Sequence, residues 1–176
     1  MPKRLLDLAN LLESWCRQLR GDRKSAETQR AYRIAVEGFL AYCADAGVPA
    51  EITKANVVGW LAAQHDCATG TVRLRLTALK LFAAWLAKEE GFDNGPIAAI
   101  TGPKLSQAPV ADLSDNEVAW MLKVCEGTAL RDKRDKAMLA LLTETGLRAA
   151  ELLAVDITDI DLDACLLQVR KGNGGK

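Results

Sequence analysis

The chain has 176 residues, 49% hydrophobic and 26% charged, with 23 basic and 23 acidic side chains and no net charge. This is the balance of a folded globular protein of one large or two small domains; it excludes a disordered tail or linker. No apolar run approaches the roughly 20 residues of a membrane helix, and Asp7 interrupts the only candidate signal-peptide core, so a cytoplasmic, non-membrane protein is expected.

The first hundred residues read as four helices. Leu5, Leu8, Leu12, Trp15 and Leu19 recur at helical spacing, and Gly21-Asp22 ends that stripe. Ser25 reads as the N-cap of a second helix, through Tyr32, Ala35 or Val36, Phe39 and Cys43 to Gly47. Tyr42 falls off this core stripe. Thr53 precedes a third helix through Val57, Trp60 and Leu61, ending near His65. Thr69 or Thr71 is the expected cap of a fourth, with Val72, Leu76, Leu79, Ala83 and Leu86 inward and Gly91 as its stop. Residues 93–112 carry Gly95-Pro96, Gly102-Pro103 and Pro109 with little periodicity. They mark a break between domains, with the linker proper placed at 104–112.

A second domain opens on Ser114-Asp115-Asn116-Glu117, a capping box. A helix through Val118, Met121, Leu122 and Cys125 follows, then one from Leu130 to Thr145 closed by Gly146, then a short one from Arg148 to about Ala154. Ile157, Ile160, Leu162, Leu166 and Val169 sit in β-prone runs, and residues 171–176 read as a hairpin turn.

Inventory removes most catalytic chemistry. His65 is the single histidine and reads as a solvated side chain. There is no P-loop, no dinucleotide fingerprint and no nucleophile elbow. Asp156, Asp159, Asp161 and Asp163 lack the glycine and glutamate of a calcium loop and read as a polar strand-turn region. The cysteines Cys16, Cys43, Cys67, Cys125 and Cys165 form no C-x-x-C pair, so buried free thiols are expected. No metal and no cofactor are expected.

Two helices carry cations and hydroxyls together. Thr69, Arg73, Thr77 and Lys80 share one face of the fourth helix, opposite the leucines, with Thr71 and Arg75 beside them. Lys24, Ser25, Thr28, Arg30 and Arg33 gather at the start of the second. Such faces grip phosphates and reach base edges, although spacing alone favours an ordinary solvated helix face. Residues 1–104 hold 14 basic against 11 acidic residues and residues 105–176 hold 9 against 12, a weak asymmetry of the same sense. The sharpest feature is Thr145-Gly146-Leu147-Arg148-Ala149-Ala150-Glu151-Leu152. An arginine at a helix junction is held rigidly and can bond a phosphate bidentately; a structural Arg148–Glu151 pair is the other account of the same spacing.

Arg134-Asp135-Lys136-Ala137-Met138-Leu139, the segment 145–152, Asp159-Ile160-Asp161-Leu162 and Val169-Arg170-Lys171-Gly172-Asn173 together resemble the tyrosine recombinase family, the phage integrase and Xer-type group. Residues 25–32, 79–86 and the segment Gly95-Pro96-Ile97 with Pro103-Lys104 are similar to that family's core-binding domain and linker. The resemblance covers nearly the whole chain. It implies a mainly α fold: a four-helix SAM-like core-binding domain over residues 1–103, then the truncated start of an α/β catalytic domain over 113–176, with helices and a β-hairpin.

The resemblance further implies site-specific DNA recombination on double-stranded DNA, with other recombinase protomers as tetramer partners. Arg148 matches the first catalytic arginine, Glu151 a supporting glutamate, and Lys171 the hairpin lysine that protonates the leaving 5′ hydroxyl, with Lys176 a rival for that role. The second and fourth helices match those that lie in the major groove. The family's later His/Lys-x-x-Arg and tyrosine nucleophile have no counterpart, since the tyrosines are Tyr32 and Tyr42. The chain is therefore expected to bind DNA without cutting it, and, without the C-terminal segment through which the family's protomers touch, to be a monomer or to associate weakly through the Leu5–Leu19 helix. It reads as the N-terminal part of a recombinase or as a naturally short product occupying recombination sites. A helical protein-interaction module is the remaining alternative.

Overall fold

The computed structural model describes residues 6–105 and 111–170, and its chain divides into two units, Met1–Gln107 and Ala108–Lys176. In the first unit the helices are α1 (Leu8–Gly21), α2 (Ala26–Asp45), α3 (Lys54–Ala62), α4 (Thr69–Glu90) and the short α5 (Gly95–Ala98). Side-chain caps set three of the starts. Asp7 accepts from the N–H of Asn10, Ser25 from Thr28 and Thr53 from Asn56, satisfying amide groups that a helix start leaves unpaired.

The fourth helix departs from expectation. Its N-cap is Ala68, without a side-chain bond; Thr69 and Thr71 lie inside the first turn. The third helix stops at Ala62, before His65. The punctuated segment after Gly91 forms a helical turn that its sequence pattern does not indicate. α5 forms there, and Ile97 and Ile100 are buried while Ala98 is exposed.

The core lies between α2 and α4, which share the broadest contact, with α1 and α3 against them. Leu8, Leu12, Trp15 and Leu19 are buried as the stripe requires; Leu5 lies outside the described residues. Phe82, which the fourth-helix stripe did not include, is fully buried. Its ring centroid lies 5.1 Å from that of Trp15, which also stacks on Tyr32 at 5.9 Å, and Phe39 meets Trp60 edge-on at 5.6 Å. Such aromatic pairs each add about 0.5–1.5 kcal/mol beyond the area they bury.

Tyr42 is not off the core as its spacing suggested. It is half-buried against the cluster, and its hydroxyl stands so close to Gly59 that any Cβ there would run into it. The reason is the turn onto α3, which places that helix over the flank of α2. The thiols also differ from expectation. Cys16 and Cys43 are buried and burial pushes both up, Cys67 and Cys125 are half-buried, and Cys165 is exposed.

The second unit contains α6 (Asp115–Val124), α7 (Leu130–Thr145), α8 (Ala149–Leu152), a 3-10 turn at Ile157–Asp159, and the strands β1 (Ile160–Asp161) and β2 (Leu166–Leu167). The Ser114–Glu117 capping box forms in full. Gly146 closes α7 at φ +65°, a conformation that disfavours any side chain. The strands pair antiparallel, Ile160 with Leu167 and Asp161 with Leu166, so the observed hairpin turns at 162–165. The turn expected at 171–176 lies outside the described residues. Leu152 and Asp159 are the buried side chains among the described residues of this unit; α6 and α7 bury none.

Candidate functional site

The cationic face expected on α2 and α4 separates into three groups. In the first, Lys24 and Arg30 are exposed, and among the described residues no carboxylate pairs with either. Ser25 and Thr28 sit between them at the helix start. The Ser25 Oγ accepts the Thr28 N–H at 3.1 Å and lies 2.9 Å from its hydroxyl.

The second group is committed to other protein atoms. Arg33 forks onto Glu13 of α1, with Nη1–Oε1 at 2.5 Å and Nη2–Oε2 at 2.8 Å, and its Nη1 also reaches Glu37 at 3.3 Å. That guanidinium holds the Glu13 carboxyl below the usual carboxylate range. Arg75 donates to the Gln64 Oε1 at 2.8 Å and to the Cys67 Sγ at 3.4 Å, and buried Gln64 in turn donates to the Trp60 carbonyl. Arg75 therefore ties the start of α4 to the end of α3.

The third group lies along the segment that follows α5. Arg73 donates to the Pro103 carbonyl at 3.0 Å and Lys80 to the Ala98 carbonyl at 2.8 Å. A groove of about 600 Å³ runs between α4 and this segment. Arg73, Thr77 and Lys80 line it together with Lys104, which sequence reasoning used only to mark a linker. Buried Leu76 lines it too, so the polar face is not opposite the leucines: the returning segment covers it and shields Leu76. Thr69 is half-buried and Thr71 exposed at the start of the helix.

In the second unit, Arg148 is the N-cap of α8. Its main-chain N–H donates to the Glu151 Oε2 at 2.9 Å and its Nη1 to the Oε1 at 2.9 Å. The N–H and then the guanidinium keep the Glu151 carboxyl below its usual range. The Arg148 side chain is 69% exposed and that of Glu151 only 12%. The carboxylate thus fixes one edge of the guanidinium and leaves the rest open to an incoming anion. Both tyrosines lie in the first unit, engaged in packing on Trp15 and against Gly59. Lys171 and Lys176 lie outside the described residues.

The pairing of Asp159 with Arg170 escaped the sequence reading. The Asp159 side chain is 1% exposed; it accepts from the Arg170 Nε and from the Asp156 N–H at 2.9 Å, while the Arg170 Nη2 reaches the Thr158 hydroxyl at 2.7 Å. Asp161 accepts the Ala164 N–H within the hairpin turn. The aspartates thus serve the strand-turn region, and Asp159 anchors the residue that directly precedes Lys171. A cluster of four carboxylates within eight residues gave no sign of which one is buried.

The description "Phage integrase, N-terminal SAM-like domain" matches residues 11–91, and "Phage integrase family" matches residues 111–176. The chain belongs to the phage integrase, or tyrosine recombinase, family. It is 32% identical over 171 residues to Tyrosine recombinase XerC 2 of Ralstonia nicotianae, covering 86% of this chain and 47% of that one. It is 32% identical over 177 residues to Tyrosine recombinase XerC of Shewanella amazonensis, covering 98% and 58%. Among solved structures it is similar to an integrase from mycobacterium phage Brujita, at 25% identity and a TM-score of 0.51, over 94% of this chain and 55% of that one. The chain thus spans about half the length of the relatives it matches. Its fold is that of the family: a helical SAM-like domain followed by the start of the catalytic domain.

Proposed function

We propose that this chain is the duplex-DNA-binding part of a site-specific tyrosine recombinase, acting in the cytoplasm with other protomers of its kind. The observation that carries the reading is Arg148, oriented by Glu151 and open to solvent, within a segment of the family's pattern. A guanidinium held in this way can meet charge that builds on the non-bridging oxygens of a phosphodiester under attack. Lys24 and Arg30, free of carboxylate partners among the described residues, supply phosphate contacts from α2; Ser25, Thr28, Thr69, Thr71 and Thr77 supply hydroxyl donors. Arg73 and Lys80 join them when DNA is bound. Lys171, or its rival Lys176, is the general acid in this reading, and Glu151 positions Arg148 without touching substrate. Arg33 and Arg75, whose guanidinium groups are already committed, shape the domain and do not contact DNA.

The tyrosine inventory favours binding without cleavage for this chain by itself. Both rings pack within the first unit, Tyr32 on Trp15 and Tyr42 against Gly59, and neither matches the family's nucleophile in sequence position. Incubation with a suicide duplex carrying a nick tests this. The expected result is saturable binding with no covalent adduct. A stable adduct overturns the assignment of the tyrosines, and absence of binding at low salt overturns the DNA reading in favour of a protein-interaction module.

A further inference from the structure

Arg73 and Lys80 are the α4 cations proposed to contact phosphate, yet each is bonded to a main-chain carbonyl of the chain's own segment 98–104. The bonds are 3.0 Å to Pro103 and 2.8 Å to Ala98. The segment is pressed onto the helix between those two points. Ile97 and Ile100 are buried, and Gly102 packs so that a Cβ there would sit 3.4 Å from both the Arg73 Cγ and the Leu76 Cδ2. Arg73, Lys80, Lys104, Thr77 and Thr101 line the groove it borders, with no carboxylate among the described residues there. A cationic groove of this kind suits an anion, and two of its three cations, Arg73 and Lys80, each give one donor to a neutral oxygen of the segment.

We infer that segment 98–104 is a clasp that draws the α4 cations onto its own carbonyls and competes with a DNA phosphate for them. The inference rests on the reading of α4 as a DNA-facing helix. The chemistry is an exchange of partners. A carbonyl dipole holds an ammonium or guanidinium less strongly than a phosphate oxygen does, so the clasp yields to DNA and returns when DNA leaves. DNA binding is thereby coupled to release of the segment that leads out of the first unit. The clasp lowers affinity for isolated phosphates while leaving the final set of DNA contacts unchanged.

Gly102 allows a test in which a substitution improves binding. Its φ lies outside the left-handed region, so a side chain is not opposed by the backbone there. The γ carbons of Gly102→Val would enter the space of Arg73 and Leu76 and lift the segment. In the intact chain, titrated by anisotropy against a labelled duplex at one salt concentration, Gly102→Val is expected to bind about threefold to tenfold tighter than wild type. The salt dependence is expected to keep the wild-type slope. Without DNA, trypsin is expected to cut after Lys104 faster in this variant. Arg73→Met with Lys80→Met removes the same bonds from the helix side and is also expected to speed that cut.

Equal or weaker DNA binding by Gly102→Val, while wild type binds with a slope that Arg73→Ala flattens, overturns the clasp and leaves the DNA reading standing. Unchanged cleavage after Lys104 in both variants overturns the clasp as well. Failure of both wild type and Gly102→Val to bind DNA overturns both readings.

Discussion

Glu13 and Arg33 face each other across the contact of α1 with α2, joined by two parallel bonds of 2.5 and 2.8 Å between the guanidinium and the carboxylate. This fork makes a residue of the expected DNA face into a strut between helices, and it sets a pH dependence. The Glu13 carboxyl lies below its ordinary value in the folded chain, chiefly through its bond to Arg33. A carboxyl lowered on folding contributes stability that is present above the unfolded value of about 4.3 and lost as pH falls through the folded value.

Urea unfolding of the first unit between pH 6 and pH 3 tests that relationship. Wild type is expected to lose more stability over this range than Glu13→Gln, whose amide does not titrate. Because both partners are substantially exposed, the difference is expected to be small and to shrink in high salt. Equal acid sensitivity of the two proteins contradicts the assignment.

Phe82 is expected to be the most sensitive position of the first unit. It is fully buried, and its ring lies between those of Trp15 and Trp85, at 5.1 and 6.0 Å. Phe82→Ala removes the ring and leaves a cavity, at a cost of about 3–5 kcal/mol. Equilibrium unfolding followed by tryptophan fluorescence measures it; a loss under 1 kcal/mol would mean that α1 and α4 do not pack as described.

The two units differ in how much they bury, and amide exchange is expected to show it. The helices α2 and α4 carry fully buried Phe39, Leu79, Phe82 and Leu86, whereas α6 and α7 bury no residue and Trp120, Val124 and Leu130 are exposed. Amides of α6 and α7 are expected to exchange at least tenfold faster than those of α2 and α4. Equal protection would show that the second unit has a cooperative core of its own.

Arg148 and Glu151 separate a functional from a structural role. The Glu151 bond to the main-chain N–H of residue 148 survives in Arg148→Ala, so the start of α8 is retained and the Tm is expected to stay within a degree or two of wild type. Glu151→Ala removes both bonds and is expected to lower the Tm further. A larger fall for Arg148→Ala would make the guanidinium a structural strut.

The four-helix plan was legible because apolar residues recur at helical spacing and because Ser25, Thr53 and Ser114 are side-chain caps that act locally. The Arg148–Glu151 pair was legible for the same reason, since both residues lie within one helical turn. Long-range partners were not. Nothing near Arg33 in sequence announces Glu13, nothing near Lys80 announces the Ala98 carbonyl, and Asp159 finds Arg170 only because the hairpin turns at 162–165. The cationic faces could be listed from the sequence. Which cations are free for a ligand is decided by tertiary packing.

The salt dependence of duplex binding, measured for wild type, Arg30→Ala and Arg33→Ala, tests the DNA-facing role of α2 most directly. Wild type is expected to give a log–log slope of about −4 to −7, as about five to eight phosphate contacts require. Arg30→Ala is expected to flatten that slope by about one unit, and Arg33→Ala, whose guanidinium is held by Glu13, to leave it unchanged. A slope near zero in wild type, or a slope flattened by Arg33→Ala and not by Arg30→Ala, would contradict the assignment of this interface.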